Sequence, residues 1–349
     1  MSTSGTPRRR NGEGEVGEAI ADRPDGRTAT AVEMVAGHDL TGKEAIVTGG
    51  YGGVGYETTK ALASAGARVV VAGRDPAKAA DAVARLQAET GNDKIVFSPL
   101  DLGSLASVGA WARDYVASGK PLHLLVNNAG VMWPPQQRTG EGLEPHLGVN
   151  HLAHFVLSLG LLPCLKASGD ARVISLSSSA HRRSDICYDD PNYDHRPYDP
   201  AEAYGQSKTA NALFVVGFSA RFAGPHLTAN AVMPGAIRSG LMRNLDEAEF
   251  QARGWADAEG NDLREGWKTP EQGAATTAWA AVAPELDGVS GKYLEDCAIA
   301  TPLAGADQPL GGNYDPHGQI RGHYQPYALD PENAERLWSL SERLISSVR

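Results

Sequence analysis

The sequence predicts an α/β protein built on one doubly wound parallel sheet flanked by helices. Three observations carry that prediction. Short apolar runs alternate with helical patterns from "EAIVTG" to "LTANAVMPG". Several of those runs end in Gly or Asn, as buried parallel strands do. A glycine-rich turn joins the first run to the first helical pattern.

The elements follow in order. "EAIVTG" reads as a buried strand and "YETTKALASAGA" as a helix ending at Gly66. "RVVVAGR" is a strand. "PAKAADAVARLQAET" is a helix with Pro76 in its first turn and Gly91 just past its end. "KIVFSPLDL" is a strand, "LASVGAWARDYVAS" a helix and "LHLLVNNAG" a strand. "NHLAHFVLSLGLLPCLKAS" reads as one long helix, followed by the strand "ARVISLSSS". A helix containing "AYGQSKTANALF" and the strand "LTANAVMPG" complete the alternation. "NAERLWSLSERLI" closes the chain as an amphipathic helix, with Leu337, Leu340 and Leu344 on one stripe.

Residues 1–38 are rich in Gly, Arg, Glu, Thr and Asp and nearly free of aromatics. They are expected to form a disordered tail, because they bury too little apolar surface to offset ordering entropy. Residues 39–349 form one domain, with lid segments near 180–203, 238–268 and 299–331. Long irregular segments in a compact domain are usually functional or disordered. The Tyr, His and Pro content here favours ordered lids.

Composition removes several classes of function. The 349 residues carry a formal net charge of −10. The one basic run is Arg8-Arg9-Arg10, too little to neutralise a nucleic acid backbone. No apolar stretch reaches 18 residues, so no membrane span is expected. The arginine run is not followed by an apolar segment, which argues against an export signal. Cys164, Cys187 and Cys297 are widely spaced and odd in number, which suits free thiols in a reducing, cytoplasmic setting. His181, His195, His317 and His323 lack metal-ligand spacing and read as solvated or hydrogen-bonded side chains. Leu159, Leu162 and Leu165 form a core stripe or a subunit interface, so a homo-oligomer stays open.

Three motifs carry chemistry. Gly49, Gly53 and Gly55 stand at the first strand–helix junction, where glycine lets the backbone approach a pyrophosphate and the helix N-terminus favours negative charge. At the end of the second strand, Gly73 stands where an NAD-binding acid is expected, and Arg74 follows. That combination favours NADP, since Arg74 can pair with a 2′-phosphate. Asp75 remains an alternative ribose ligand that would restore NAD use. Tyr204 and Lys208 are four residues apart, which puts them on one face of a helix.

These motifs, in this order, resemble the short-chain dehydrogenase/reductase family over roughly residues 40–300. The likeness rests on Thr48-Gly49-x-x-x-Gly53-x-Gly55, Asp101-Leu102, Asn127-Asn128-Ala129-Gly130, Asn150, Ser178, Tyr204-x-x-x-Lys208 and Pro234-Gly235. "SSSAH", "AYGQSK", "SGKYLEDC" and the Leu-Trp pair of the last helix point to the branch of retinol dehydrogenases and WW-domain oxidoreductases. No WW domain is present in this chain. The resemblance implies a Rossmann-type fold and an NADP-preferring enzyme that moves a hydride between nicotinamide and an alcohol or carbonyl.

The resemblance also assigns roles. Tyr204 would exchange a proton with the substrate oxygen. A free phenol ionises near ~10, and Lys208 together with the nicotinamide charge would lower that value. Lys208 would also hold the nicotinamide ribose, Ser178 would orient the substrate oxygen, and Asn150 would hold a water linking Lys208 to solvent. Ser177 and Ser179 compete for the serine role, and the family pattern selects Ser178. Asp101 and Leu102 would meet the adenine. Val54, Asn128, Ala129, Gly130, Pro234, Gly235, Ile237 and Ser239 would complete the cofactor contacts. Tyr51 departs from the small polar or basic residue usual in the glycine loop, which removes one 2′-phosphate contact. Alternatives are a catalytically silent dinucleotide-binding regulator and a carbon–carbon double-bond reductase. Trp255, Trp267, Tyr188, Tyr193, Tyr314 and Tyr324 in the lids suit a bulky, partly apolar small-molecule substrate.

Overall fold

The structure is a computed structural model that describes residues 25–348, apart from 264–265, 307, 313–314 and 316–317. Tyr314 and His317, two of the expected lid residues, lie outside the described residues, as do residues 1–24.

The core is an eight-stranded sheet. The apolar runs form β1 (Glu44–Thr48), β2 (Arg68–Gly73), β3 (Ile95–Pro99), β4 (Leu124–Asn127), β5 (Ala171–Leu176) and β6 (Leu227–Met233). Two short strands extend it, β7 (Tyr293–Glu295) and β8 (Ala298–Ile299). The spatial order is β8-β7-β6-β5-β4-β1-β2-β3, parallel throughout except for the β8 edge. The order reverses between β1 and β4. In open α/β sheets that reversal opens a crevice beyond the strands' C-terminal ends.

Helices cover both faces. Several start where the chain supplies a cap. α2 (Gly53–Ser64) follows the glycine turn. α3 (Pro76–Thr90) begins at Asp75, whose carboxylate accepts the Lys78 N–H, and stops at Gly91 with φ +66°. That left-handed conformation suits glycine. Ser104 caps α4 (Leu105–Ala117) and Asp199 caps α7 (Pro200–Phe222).

The long helix expected over 150–168 is three pieces. A π-helical stretch, His146–Leu152, leads into α5 (Ala153–Gly160), and α6 (Leu162–Ala167) restarts after Leu161. Pro163 has no N–H for the Leu159 carbonyl, so the helix breaks there. Leu165 is buried, and Leu159 and Leu162 pack against the core.

The expected tail boundary at residue 38 is too late. Residues 25–38 are part of the folded domain, and α1 (Ala31–Val35) carries a complete capping box between Thr30 and Glu33. Ala29, Ala31, Met34 and Val35 are buried in the same apolar cluster as α8 (Ala275–Val282). Five residues are too few for a self-sustaining helix, so tertiary packing supplies what local pattern does not.

α9 (Pro331–Ser347) closes the chain over α5 and α7. Trp338 meets Phe155 with ring centroids 4.7 Å apart and stacks on Phe214 at 6.3 Å. Gly217 permits this approach: a Cβ there would lie 2.9 Å from Trp338.

Candidate active site

The C-terminal ends of the strands border one cavity of about 900 Å³. Its first end is formed by Tyr51, Gly73, Arg74, Lys78, Asp101 and Leu102. The glycine turn, with Gly49, Gly53, Val54 and Gly55, and the segment Asn128-Ala129-Gly130 form its middle. Ser178, Tyr204 and Lys208 border the far part, with Pro234, Gly235, Ile237 and Ser239 along one side.

The middle suits a pyrophosphate. Gly49 and Gly53 have φ of +65° and +51°. A Cβ at Gly55 would lie 2.5 Å from Asn128 Nδ2, whereas one at Gly52 would meet nothing within 4 Å. No side chain caps the N-terminus of α2, leaving that end of the helix for an anion. These residues therefore fit a dinucleotide.

The first end holds an arrangement that sequence reading missed. A Cβ at Gly73 would lie 2.3 Å from Tyr51 Cε1, so the Tyr51 ring occupies the place an acid would take. Asp75 spends its carboxylate on the Lys78 N–H at 3.1 Å and the Lys78 ammonium at 3.5 Å. Arg74 stands exposed at the rim.

Thr48 and Asn150 do not border the cavity. Thr48 lies one layer behind, where its hydroxyl oxygen accepts the N–H groups of Asn128 and Ala129, each at 2.9 Å. The Asn150 amide grips the main chain of Val131, with Oδ1 accepting at 2.8 Å and Nδ2 donating at 3.1 Å, and also donates to Ser207 at 3.0 Å. His154 joins these two residues, with Nε2 2.9 Å from Thr48 Oγ1 and Nδ1 3.0 Å from the Asn150 carbonyl. The Asn150 carbonyl can only accept, so the ring proton sits on Nδ1 and Nε2 accepts from the Thr48 hydroxyl, which also lies 3.3 Å from the Val126 carbonyl. Burial lowers the His154 pKa to about 4, which keeps the ring neutral.

α7 presents Tyr204 and Lys208 to the cavity. The Lys208 ammonium donates to the Leu176 carbonyl at 2.9 Å and lies 5.6 Å from the Tyr204 ring centre. Burial lowers its pKa to about 8. His146 meets the Tyr204 ring edge-on at 5.8 Å. Behind it, the Glu144 carboxylate accepts from His146 Nδ1 at 2.6 Å and from the Tyr198 hydroxyl at 3.1 Å. Burial alone would raise the Glu144 pKa, but hydrogen bonds from His146 and Leu147 hold it below its usual range. His146 Nε2 accepts the main-chain N–H of Trp133 at 2.9 Å. Trp133 has φ +46°, a strained conformation for a bulky residue that costs about 1–3 kcal/mol. The buried Glu144–His146 pair holds it there.

The substrate end corrects the lid reading. Trp255 and Trp267 border the cavity, joined by Trp133, which was not expected. Tyr188, Tyr193 and Tyr324 do not: Tyr188 bonds to Asn333, Tyr193 packs on Tyr198, and Tyr324 lies against Tyr293. Of the four histidines, His195 is exposed, His323 bonds Thr301 at 2.9 Å, and His181 is fully buried and hydrogen-bonded. Among the described residues no cluster of His, Cys, Asp and Glu has the arrangement of a metal site, and no helix is long and apolar enough to cross a membrane.

Sheet order, switch-point cavity and glycine turn define a dinucleotide-binding protein of the doubly wound class. A family model described as short chain dehydrogenase matches residues 43–249. Relatives agree with it. A probable oxidoreductase of Streptomyces lividans is 42% identical over 311 residues, covering 88% of this chain and 99% of that protein. A polyprenol dehydrogenase of Mus musculus is 45% identical over 281 residues, covering 77% and 80%. Retinol dehydrogenase 12 of Homo sapiens is 37% identical over 306 residues, covering 88% and 87%. Among solved structures, an uncharacterized protein from Mycobacterium paratuberculosis has a TM-score of 0.66 at 29% identity, covering 90% of this chain and 97% of that one. The Pseudomonas aeruginosa RhlG/NADP active-site complex has a TM-score of 0.57 at 29% identity, covering 74% and 95%. The chain belongs to the short-chain dehydrogenase/reductase family of oxidoreductases, in its retinol-dehydrogenase-like branch.

Proposed function

We propose that the protein is an NADP-preferring oxidoreductase acting on a bulky, partly apolar alcohol or carbonyl compound. The observation that carries this reading is the continuity of one cavity, from Arg74 through the glycine turn to Ser178, Tyr204 and Lys208, with the wall of Trp133, Trp255 and Trp267 beyond. A bound nicotinamide supplies or takes the hydride. Tyr204 passes the proton to or from the substrate oxygen, and Ser178 donates a hydrogen bond to that oxygen. Lys208, charged below about pH 8, lies beside the ring of Tyr204 and favours its phenolate. Asn150 acts from behind the wall by fixing Val131 and the start of the substrate end.

NADP preference is supported by three features of the first end. Tyr51 fills the acid's place, Asp75 is occupied as a cap, and Arg74 and Lys78 supply positive charge at the rim. The free thiols of Cys164, Cys187 and Cys297 suit a reducing, cytoplasmic setting. Oxidation of NADPH and NADH against a panel of ketones and aldehydes tests the reading, with Tyr204→Phe beside the parent protein. The variant should lose about 10²- to 10⁴-fold in kcat and keep its NADPH affinity. A variant that retains most of its turnover would remove Tyr204 from the proton step.

A further inference from the structure

Ser178 is gripped from behind, and part of the grip comes from beyond residues 43–249, the span of the family model. Its main-chain carbonyl accepts three hydrogen bonds, from the His181 main-chain N–H at 3.0 Å, from His181 Nδ1 at 2.7 Å and from the Tyr293 hydroxyl at 3.1 Å. Tyr293 lies on β7. His181 Nε2 accepts the main-chain N–H of Gln325 at 3.1 Å. A nitrogen that accepts carries no proton, so the ring proton sits on Nδ1 and points at the Ser178 carbonyl. Burial, reinforced by Arg182, lowers the His181 pKa to about 3, so the ring stays neutral at working pH. The Tyr327 hydroxyl donates to the His181 carbonyl at 2.6 Å. Arg182, fully buried, reaches the same segment by donating to the carbonyls of Ile320 at 3.1 Å and His323 at 2.7 Å.

We propose that His181, seconded by Tyr293, is a positioning residue for Ser178. It holds the Ser178–Ser179 peptide so that the Ser178 hydroxyl keeps its place on the cavity wall. The proposal rests on the role given to Ser178 above. Ser178 has an extended backbone, and its Oγ accepts the Ala180 N–H at 3.2 Å. A turn of the following peptide would break that bond and carry Oγ away. Displacement of a reacting group's partner by about 1 Å costs on the order of 10²-fold in rate.

Two substitutions of similar size separate positioning from packing. His181→Asn keeps an N–H donor close to the Nδ1 position. His181→Gln carries its polar atoms out toward the Nε2 position, where they still meet Gln325, and leaves the Ser178 carbonyl without that donor. Three readouts apply: kcat and KM for an active carbonyl from the panel, NADPH affinity by fluorescence, and amide exchange over residues 178–184 in the cofactor-free protein. The asparagine variant should stay within about 3-fold of the parent in kcat, and the glutamine variant should lose about 10- to 100-fold. NADPH affinity should hold in both, and exchange should quicken in the glutamine variant alone. Equal losses in the two variants would overturn the proposal, because packing alone penalises both. Tyr293→Phe, which deletes one oxygen, should lower kcat by about 2- to 10-fold, and an unchanged kcat there also counts against it. Ser178→Ala separates the two levels. Full turnover in that variant removes the role of Ser178 itself. Lost turnover there, with an unaffected His181→Gln, removes His181 and leaves Ser178 in place.

Discussion

The contact between Tyr51 and Gly73 makes cofactor choice a property of two residues together. Gly73→Asp on its own places a Cβ 2.3 Å from Tyr51 Cε1 and 3.1 Å from both Cζ and the hydroxyl oxygen. Carbon atoms settle near ~3.5–4.0 Å, so either the ring or the strand end must move. Overpacking of this kind costs about 1–3 kcal/mol, equivalent to roughly 5- to 150-fold in affinity. The single variant should therefore lose kcat/KM with both NADPH and NADH. Tyr51→Ser/Gly73→Asp opens the space, lets the new carboxylate meet the ribose hydroxyls and repels a 2′-phosphate. A hydrogen bond to a charged group contributes about 1.5–3 kcal/mol, so the double variant should turn toward NADH. The assay is kcat/KM for both cofactors on the parent, the two single variants and the double variant. Contacting residues couple by about 0.5–3 kcal/mol, whereas independent ones add within about 0.5 kcal/mol. Additive effects, or a single Gly73→Asp that already prefers NADH, would refute the reasoning.

Three further outcomes follow from the same structure. Arg74→Ala should raise KM for NADPH about 10-fold and leave NADH nearly unchanged, since solvent at the rim screens the pair toward the low end of a charge-assisted bond; equal weakening of both cofactors would show that Arg74 does not read the 2′-phosphate. Met34→Ala, at a site 6% exposed beneath α1, should cost about 2–5 kcal/mol, seen as a fall of several degrees in Tm, and an unchanged Tm would detach α1 from the core. Glu295 is pushed up to about 7 by burial, against the pull of Arg182, so the folded state holds a proton that the unfolded state releases above the usual carboxylate pKa of about 4.5. Its contribution is present below that value and lost as pH rises to about 7, so Glu295→Gln should gain stability relative to the parent between pH 5 and 8, by at most about 3 kcal/mol; a constant difference in Tm across that range would rule it out.

The strands of the main sheet are legible in sequence because strands buried on both faces are continuous apolar runs. β7 is not, because "YLE" is three residues long and ends in a buried glutamate. α1 escapes for a related reason: its stability comes from α8, 240 residues away, and its own pattern is too short to register. The glycine turn and the Tyr204–Lys208 pair are readable because local spacing encodes them, and Ser178 comes forward only through the family pattern. The parts that hold them are not. Tyr293 and His181 are 112 residues apart in sequence, and nothing in either neighbourhood announces the contact. Trp133 and the Glu144–His146 pair were missed because a strained backbone and a buried carboxylate leave no periodic trace. Tyr51 looked like a loss of a phosphate contact, and its place over Gly73 shows what the ring occupies instead.

α9 has a consequence for how this molecule meets others of its kind. Its inner stripe, with Leu337, Trp338 and Leu340, seals the outward side of α7, the helix that carries Tyr204 and Lys208. What it turns to solvent is Glu332, Glu335, Arg336, Glu342 and Arg343. A neighbour arriving on this side finds alternating charge rather than ring surface, so any association here depends on ion pairing and weakens as salt rises. The back of α7 is covered by α9, and the charged side of that cover is tied to what lies beneath: Glu335 pairs with Arg221 of α7 at 2.6 Å and Glu342 accepts the Trp338 indole N–H at 3.0 Å.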